Sequence, residues 1–376
     1  MIFLDNASTT KIYDEALKEY NEQSINNFYN ASALYKNGSD VLKQINKTRM
    51  LILKVLGASS IDNLLFTSGA TEANNMAING CIRKNFGKLL FSNAEHPSVY
   101  NVAKMLENQG YNVDFVNLTK DGVVDEEDFK LKVKDASFVS VMHVCNETGA
   151  INDIKKLVRI AKAVNKDVIF HSDGVQAFGK IQVNVKDLGV DLYTISAHKI
   201  HGPKGVGALY VRKGINLKPS VFGGGQEFGL RSGTENTCGI LAFGVAAEKI
   251  TLAVKDNFDK VKELKQSFIN EITNNFDVII NSTQECSPYI VSFAVPKVKA
   301  ETILHMAEEQ GVLISNGSAC SSKHTDNRIL SSMGIDSNVI ISSVRVSFSE
   351  FNTIEEVVIA AKTIKDTCTR YIKILR

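Results

Sequence analysis

The segment that decides the fold is VDLYTISAHK, residues 190–199, which is soon followed by Gly202-Pro203-Lys204. The apolar part before Ser196 predicts a buried strand. Ser196, His198 and Lys199 then follow where that strand ends, and a Gly/Pro turn comes next. A lysine in this setting is poorly suited to a surface. It is well placed to form a Schiff base with an aldehyde cofactor whose phosphate is held by neighbouring residues.

Short apolar runs of the same kind alternate with helical patterns from about residue 60 to residue 212. One helix is clearest at Ile154 to Val164, where the apolar residues form one face. The alternation indicates an α/β fold with a mostly parallel sheet, and ligands of such sheets bind at the carboxyl ends of the strands. The predicted strands are Leu64–Phe66, Lys88–Ser92, Phe138–Val144, Val168–His171 and Leu192–Ser196.

The pattern changes after Gly223-Gly224-Gly225. A helical region from Ile240 to Ile272 is followed by a shorter α+β segment that ends in a helix from about Thr353. We therefore predict a large domain over residues 12–250 and a smaller α+β domain formed by residues 1–11 and 251–376. The strands predicted for the smaller domain lie near Val278–Asn281, Ile290–Ala294, Val312–Ser315 and Val344–Phe348.

The composition is that of an ordinary soluble globular protein, with 376 residues, 44% hydrophobic and 22% charged. The net charge is +2 and no basic tract is present, so nucleic acid is not an expected partner. The N-terminus does not resemble a signal peptide, and Ile240–Ala247 is far too short to span a membrane. We expect a cytoplasmic protein whose six cysteines are free thiols and that binds no metal.

Asp173 closely follows the predicted strand Val168–His171. The next predicted strand along the chain is the one that leads to Lys199. Pyridoxal phosphate (PLP) needs an amine, a carboxylate opposite its ring nitrogen and a cup for its phosphate. A carboxylate at that nitrogen favours the protonated ring, which is the electron sink. The alternative is an aspartate that only caps a helix. The occurrence of Lys199 nearby favours the cofactor interpretation.

Residues Thr67 to Glu72 end one predicted strand and open a helix. Small residues at a helix N-terminus let backbone N–H groups approach an anion, so this segment is a candidate phosphate cup; an ordinary capped helix start is the alternative. A second glycine pattern, Gly174-x-x-x-x-Gly179-Lys180, resembles the start of a P-loop. Ile181 stands where Ser or Thr is needed to bind Mg²⁺, so we reject that interpretation.

Three further residues have both a functional and an ordinary interpretation. Cys320 lies in a small, polar loop beside Lys323 and His324, which favour the reactive thiolate, but it is also compatible with a harmless exposed thiol. Arg345 lies in a predicted strand, where it can bind a substrate carboxylate or form a structural ion pair. His96 can lie on a cofactor ring or be an ordinary loop histidine.

Taken together, the segments resemble the NifS/IscS-type cysteine desulfurases, a group of class V aminotransferases within the fold type I PLP enzymes. The resemblance extends over nearly the whole chain. It is carried by Leu4–Thr10, Thr67–Glu72, Glu95-His96, Met142-His143-Val144, Asn146-Glu147, Asp173–Gln176, Ser196–Gly205, Gly223–Gly225, Arg231–Thr234 and Gly317–Cys320.

The resemblance implies a role for each site residue. Lys199 would hold the cofactor, Asp173 would face its ring nitrogen, Gln176 would bond the ring hydroxyl, and His96 would stack on the ring and handle protons. Asn146 would lie beside the cofactor hydroxyl and the substrate carboxylate. Cys320 would be the nucleophile that accepts sulfur. The residues implied for the phosphate are Ala70, Thr71, Ser196, His198 and, from a partner subunit, Thr234; those implied for the substrate carboxylate are Asn30 and Arg345.

The implied activity is the PLP-dependent conversion of L-cysteine to L-alanine, with a persulfide left on Cys320. The implied assembly is a homodimer that passes sulfur to an iron–sulfur scaffold or a tRNA thiolation enzyme. Two alternatives stay open at this point. One is a class V aminotransferase or another PLP lyase that does not use Cys320, and the other is a PLP-binding protein without catalysis.

Overall fold

A computed structural model of the protein describes residues 1–83, 87–317 and 327–374. The strands in this part of the chain are β1 (Ile2–Phe3), β2 (Asn63–Thr67), β3 (Lys88–Ser92), β4 (Val113–Val116), β5 (Ala136–Ser140), β6 (Ile169–Asp173), β7 (Leu192–Ser196), β8 (Gly207–Val211), β9 (Ile279–Ile280), β10 (Ile290–Ala294), β11 (Val312–Leu313) and β12 (Ser343–Ser347).

The helices alternate with the strands through the first two thirds of the chain. They are α1 (Asp14–Asn26), α2 (Lys36–Val55), α3 (Ala70–Cys81), α4 (Pro97–Asn108), α5 (Glu126–Lys132), α6 (Ile154–Val164), α7 (Val185–Leu188), α8 (Thr237–Leu252), α9 (Val254–Thr273), α10 (Ala300–Glu309), α11 (Arg328–Ser332), α12 (Ser337–Ile341) and α13 (Ile354–Ile374).

A seven-stranded sheet dominates the structure, with the strand order β2-β8-β7-β6-β5-β3-β4. β8 pairs antiparallel with both β2 and β7, whereas the pairs from β7 through to β4 are parallel. The predicted α/β fold with a mostly parallel sheet is therefore confirmed. Since β8 alone is reversed in this sheet, the carboxyl ends of the other six strands and the amino end of β8 share one edge.

Some boundaries differ from those predicted. The sequence did not single out β4 and β8 as strands. The strand predicted to reach Val144 ends at Ser140, because the chain then leaves the sheet and Val144 pairs with Ile151 across a turn. The helical region predicted from Ile240 to Ile272 is two helices, α8 and α9, which bend by 71° where they meet.

A smaller three-stranded sheet, in the order β12-β10-β9, forms a second hydrophobic core with α9, α10 and α13. β1 pairs with β11, and Leu4 and Ala7 are part of the same core, so the N-terminal residues pack with the C-terminal part of the chain. This separate core supports the two-domain division, whose boundaries at residues 12 and 250 stay a prediction.

No single helix of the described residues is long and apolar enough to cross a bilayer. α8 and α9 meet that criterion of length and composition only as a pair, despite the bend between them.

Candidate active site

A cavity of about 540 Å³ opens at the shared edge of the large sheet. Its walls come from the turns that follow β2, β3, β5, β6 and β7, from the turn before β8, and from Arg345 of β12. Ten of the thirteen residues that the sequence nominated line this single cavity: Ala70, Thr71, His96, Asn146, Asp173, Gln176, Ser196, His198, Lys199 and Arg345.

Lys199 lies in a short 3-10 turn, Ala197–Lys199, directly after β7. Its Nζ donates to the carbonyl oxygens of Ala7 at 2.6 Å and Ser8 at 2.7 Å. The N-terminal segment therefore closes over the lysine and fixes its amine at the cavity wall. These two carbonyls are site features that sequence reasoning did not identify, because the residues that supply them are remote in sequence.

Asp173 is the last residue of β6, the strand next to β7. Its carboxylate accepts from the side chain of Asn74 at 2.8 Å and from the backbone N–H of Val175 at 3.0 Å. The next residue must be glycine, since a Cβ at Gly174 would lie 2.0 Å from the ring of Tyr193. The carboxylate is thus buried, held from two sides and directed at the cavity.

Asn74 was missed by the sequence analysis. It is fully buried on α3, where it also donates to Ser98 at 2.8 Å. The available signal was an amide among the apolar residues on the buried side of that helix, such as Ala73, Ala77 and Ile78. Its role is to orient Asp173.

His96 follows the turn after β3 and caps α4. Its Nδ1 accepts from the backbone N–H of Ser98 at 3.1 Å. A neutral imidazole that accepts at Nδ1 carries its proton on Nε2. Burial lowers the pKa of His96, with Lys199 and Arg328 acting in the same direction and Asp173 opposing them. The neutral ring, with its N–H on Nε2, is therefore the favoured form.

The phosphate cup that the sequence predicted has the expected local structure. α3 begins after Gly69, which has no side chain to cap it, and Gly69, Ala70 and Thr71 line the cavity. The buried hydroxyl of Ser196 has no hydrogen-bond partner among the described residues. A Cβ at Gly207 would lie 2.7 Å from the backbone of Gly69, so only glycine lets β8 approach this turn. The helix N-terminus and the unpaired hydroxyl fit a phosphate.

His198 lies between this cup and the N-terminal segment. Its Nδ1 is 3.2 Å from the hydroxyl of Thr9. Burial, reinforced by the charges of Lys199, Lys204 and Lys180, lowers the pKa of His198 to about 4. The imidazole is therefore neutral near pH 7 and contributes hydrogen bonding rather than charge.

The opposite side of the cavity contains Arg345, which is buried. Its guanidinium donates to the carboxylate of Asp5 at 2.7 Å, the hydroxyl of Ser8 at 2.8 Å and the carbonyl of Asn146 at 2.8 Å. Its Nε and the Oδ1 of Asn146 are buried without a hydrogen-bond partner in the described chain. Arg345 thus forms the structural ion pair that the sequence offered as an alternative, and it still has an unused donor beside the cavity.

Glu147 lines the cavity next to Asn146. Desolvation raises the pKa of its carboxyl, partly offset by a hydrogen bond of 2.5 Å from the side chain of Asn327 and by the charges of Arg345 and Arg328. Since Gly317 also lines the cavity, residues on both sides of the undescribed segment 318–326 lie close to this wall.

Two nominated residues of the described chain do not line the cavity, and a third is not described. Asn30 is exposed, and Thr234 is exposed and lines a neighbouring pocket that shares Ser68 and Gly205 with the main one. Cys320, together with Lys323 and His324, lies outside the described residues. The cysteine considered as its rival, Cys145, is fully buried, and burial raises the pKa of its thiol.

The fold and the cavity define a class of protein: a fold type I enzyme that uses PLP, with lysine and aspartate at the ends of adjacent strands. The family model "Aminotransferase class-V" matches residues 2–359. The chain belongs to this aminotransferase class-V family, in its NifS/IscS-type branch.

Similar proteins cover almost the whole chain. "Cysteine desulfurase IscS" of Dictyoglomus turgidum is 37% identical over 362 residues, 94% of this chain and 91% of that protein. "NifS/IcsS protein homolog" of Lactobacillus delbrueckii subsp. bulgaricus is 38% identical over 364 residues, 95% of this chain and 94% of that protein.

Among solved structures, "NIFS-LIKE PROTEIN" superposes with a TM-score of 0.92 at 31% identity, covering 98% of this chain and 99% of the other. The structure "SspA in complex with cysteine" has a TM-score of 0.82 at 28% identity, covering 94% of this chain and 100% of the other.

Proposed function

We propose that this protein is a PLP-dependent cysteine desulfurase that converts L-cysteine to L-alanine and carries the removed sulfur as a persulfide. The observation that carries the proposal is the single cavity in which Lys199 and Asp173, from adjacent strand ends, face the buried Arg345. Relatives named cysteine desulfurase and a structural neighbour in complex with cysteine support this choice of substrate.

The residues of the cavity fit PLP. When bound, PLP supplies an electron sink that makes the bond to the substrate α-proton labile. Lys199 would hold its aldehyde carbon and Asp173 its ring nitrogen, while Gln176 would bond the ring hydroxyl and His96 would lie against the ring. The phosphate would take the unpaired hydroxyl of Ser196 and the N-terminus of α3, with His198 beside them.

The substrate side would be formed by Arg345 and Asn146. The guanidinium has an unused N–H and can recognise a carboxylate, and the unpaired amide oxygen can accept from the cofactor hydroxyl. Asp5 and Ser8 hold the guanidinium in place. L-cysteine would therefore enter with its carboxylate toward β12.

Proton transfer falls to Lys199 and His96. The substrate amine would replace the amine of Lys199 as the group that holds the cofactor. Lys199 would then be the base positioned to take the α-proton, because the carbonyls of Ala7 and Ser8 hold its Nζ at the cavity wall. The neutral imidazole of His96 carries its N–H on Nε2 and can donate that proton on the ring side of the cavity.

The sulfur step would use the thiolate of Cys320 as the nucleophile. The bond from the substrate Cβ to its sulfur breaks, a sulfur–sulfur bond to Cys320 forms, and Cβ gains a proton. The substrate sulfur is oxidised by two electrons and the substrate carbon is reduced by two, so cysteine becomes alanine without an external oxidant.

The assembly is proposed to be a cytoplasmic homodimer. Thr234 is exposed at the edge of a pocket next to the phosphate cup, and the same stretch of chain exposes Phe222 and Phe228. Exposed aromatic residues beside a site are typical of a subunit contact. Thr234 would then reach the partner's phosphate cup, and Asn30 would help to bind the substrate carboxylate. A sulfur-acceptor protein, such as an iron–sulfur scaffold or a tRNA thiolation enzyme, would remove the persulfide.

The test is to measure alanine and sulfide from L-cysteine, with a thiol reductant present, for the wild type and two cysteine variants. Cys320→Ser should keep bound PLP and lose sulfide release by about 10³-fold or more, because it removes the nucleophile. Cys145→Ser is the matched control and should be close to the wild type, since Cys145 is buried and its thiol has a raised pKa.

Two outcomes would contradict the proposed activity, and a third would contradict the proposed sulfur carrier. If the wild type transaminates amino acids and forms no alanine from cysteine, the protein is an aminotransferase. PLP binding without turnover of any amino acid would make it a non-catalytic PLP protein. Extra mass on the peptide that contains Cys145 after reaction with L-cysteine would reject Cys320 as the carrier.

A further inference from the structure

Lys180 is a buried charged residue that the proposed mechanism does not use. It is only 3% exposed, and no carboxylate of the described chain forms an ion pair with it. It belongs to the glycine pattern that the sequence analysis rejected as a P-loop. Burying the charge of a lysine is costly, so a fully buried lysine is rare unless another group compensates for that charge.

The partner of Lys180 is an amide. Its Nζ donates to the Oε1 of Gln176 at 2.6 Å, and it also lies 5.7 Å from the ring centroid of Tyr289. A protonated lysine has only donors, so the side of the amide that faces it must be the oxygen. Lys180 therefore removes the ambiguity between the two orientations of the Gln176 side chain.

The fixed amide then continues a chain of hydrogen bonds to the catalytic lysine. The Nε2 of Gln176 donates to the carbonyl of Ala7 at 2.8 Å, and the same carbonyl accepts from Lys199 at 2.6 Å. The second N–H of the amide is left for the cavity, which Gln176 lines. If the amide were flipped, its oxygen would face the carbonyl of Ala7 and the cavity would lose this donor.

We propose that Lys180 is a positioning residue for the cofactor. It holds Gln176 in the one orientation that offers an N–H to the ring hydroxyl, and it adds a positive charge behind that amide. The inference rests on the proposed PLP site and concerns only residues of this chain.

The surrounding charges support this role. Burial lowers the pKa of Lys180 to about 7, with the charges of Lys199 and Arg345 acting in the same direction and Glu350 opposing them. Below that pH Lys180 is protonated, and its positive charge disfavours an additional positive charge on Lys199. Removing Lys180 should therefore let the cofactor-bound nitrogen of Lys199 hold its proton to higher pH.

The experiment is a pH titration of the visible absorption band of the holoenzyme, without substrate. Lys180→Met keeps the length of the side chain and removes its donor and charge. We expect the midpoint to rise by about one pH unit and PLP to dissociate about tenfold more readily, because both the cation and the oriented donor are lost. Gln176→Met should shift the midpoint in the same direction.

The double variant tests whether the effect passes through Gln176. If it does, Lys180→Met should add less to the midpoint in the Gln176→Met background than it does alone. Lys265→Met is the matched control, since Lys265 is also a buried lysine. Its hydrogen bonds within the described part of the chain go to the carbonyls of Thr283 and Cys286, outside the cavity. It should lower the melting temperature and leave the titration midpoint unchanged.

The outcomes separate this inference from the function. A wild type that takes up no PLP would overturn the proposed cofactor site itself. If Lys180→Met has the same midpoint and the same PLP affinity as the wild type, the role of Lys180 is overturned. The desulfurase proposal would then remain intact. If Lys180→Met does not fold, Lys180→Gln is the alternative, because it retains a donor without the charge. It should shift the midpoint upward by less than one pH unit. An unchanged midpoint in this variant would also overturn the role of Lys180.

Discussion

The two sides of the cavity are built in different ways. On the cofactor side, Asp173 and Ser196 are the last residues of neighbouring strands, and Lys199 follows one turn later. On the substrate side, Arg345 comes from the second sheet and is held by Asp5, which is 340 residues away in sequence. The first arrangement follows from strand pairing and the second from long-range packing.

This difference predicts different responses to substitution. On the cofactor side, the backbone is fixed by the sheet, so a changed side chain should alter chemistry more than structure. On the substrate side, Arg345 joins the N-terminal segment, the turn at Asn146 and β12 through its hydrogen bonds. A change there should affect both binding and stability.

The largest effect is expected on the cofactor side. Lys199→Ala should reduce alanine formation by about 10³-fold or more, because the base and the covalent attachment are lost together. The turn after β7 should keep its fold, since it is held by backbone hydrogen bonds such as that from Ile200 to Ala197. Borohydride reduction followed by peptide mass spectrometry should find PLP on Lys199 in the wild type. Attachment at Lys180 or Lys204 instead would show that the cofactor side is wrongly assigned.

A smaller and mixed effect is expected on the substrate side. Arg345→Gln should raise the KM for L-cysteine by roughly 10- to 100-fold, since a hydrogen bond to a charged group contributes about 1.5–3 kcal/mol. It should also lower stability, because it leaves the carboxylate of Asp5 without its ion pair.

Asp5→Asn is the matched control for Arg345. It weakens the same ion pair and keeps the guanidinium, so it should lower the melting temperature while changing the KM much less than Arg345→Gln does. If the two variants raise the KM equally, Arg345 acts only as a structural residue and the carboxylate binds elsewhere.

The last effect concerns stability alone, at the base of the cofactor side. Glu95 precedes His96, is fully buried, and accepts from Ser92 and from the backbone N–H of Met142, both at 2.7 Å. Burial raises the pKa of its carboxyl from 4.5 to about 7. Between these values the folded protein holds a proton that the unfolded chain has released, so stability should fall as pH rises through this window.

The free energy of unfolding should fall by about 2–3 kcal/mol across this window. Glu95→Gln mimics the protonated carboxyl and should flatten that dependence on pH. Thermal melts between pH 4.5 and pH 7 measure it, with the exposed Glu308→Gln as a control that should keep the wild-type slope. An unaltered slope in Glu95→Gln would mean that another group controls the pH dependence.

Much of the fold was predictable because periodicity in sequence reports burial in a regular element. α6 lies at Ile154–Val164, as predicted, and β3 lies at Lys88–Ser92. β4 was missed because Asp114 interrupts a short, half-buried strand at the edge of the sheet. β8 was not singled out either, and an apolar pattern could not have shown that this strand runs against its neighbours.

The sequence by itself determined the parts of the site that lie within a few residues of a strand end, such as Asp173, Ser196 and Lys199. Strand pairing brings such residues together whatever the rest of the chain does. Only the tertiary structure decided that Asp5 would pair with Arg345 and that Asn74 would hold Asp173. These contacts join segments or faces whose meeting depends on packing of the whole chain, and local patterns carry no information about such distances.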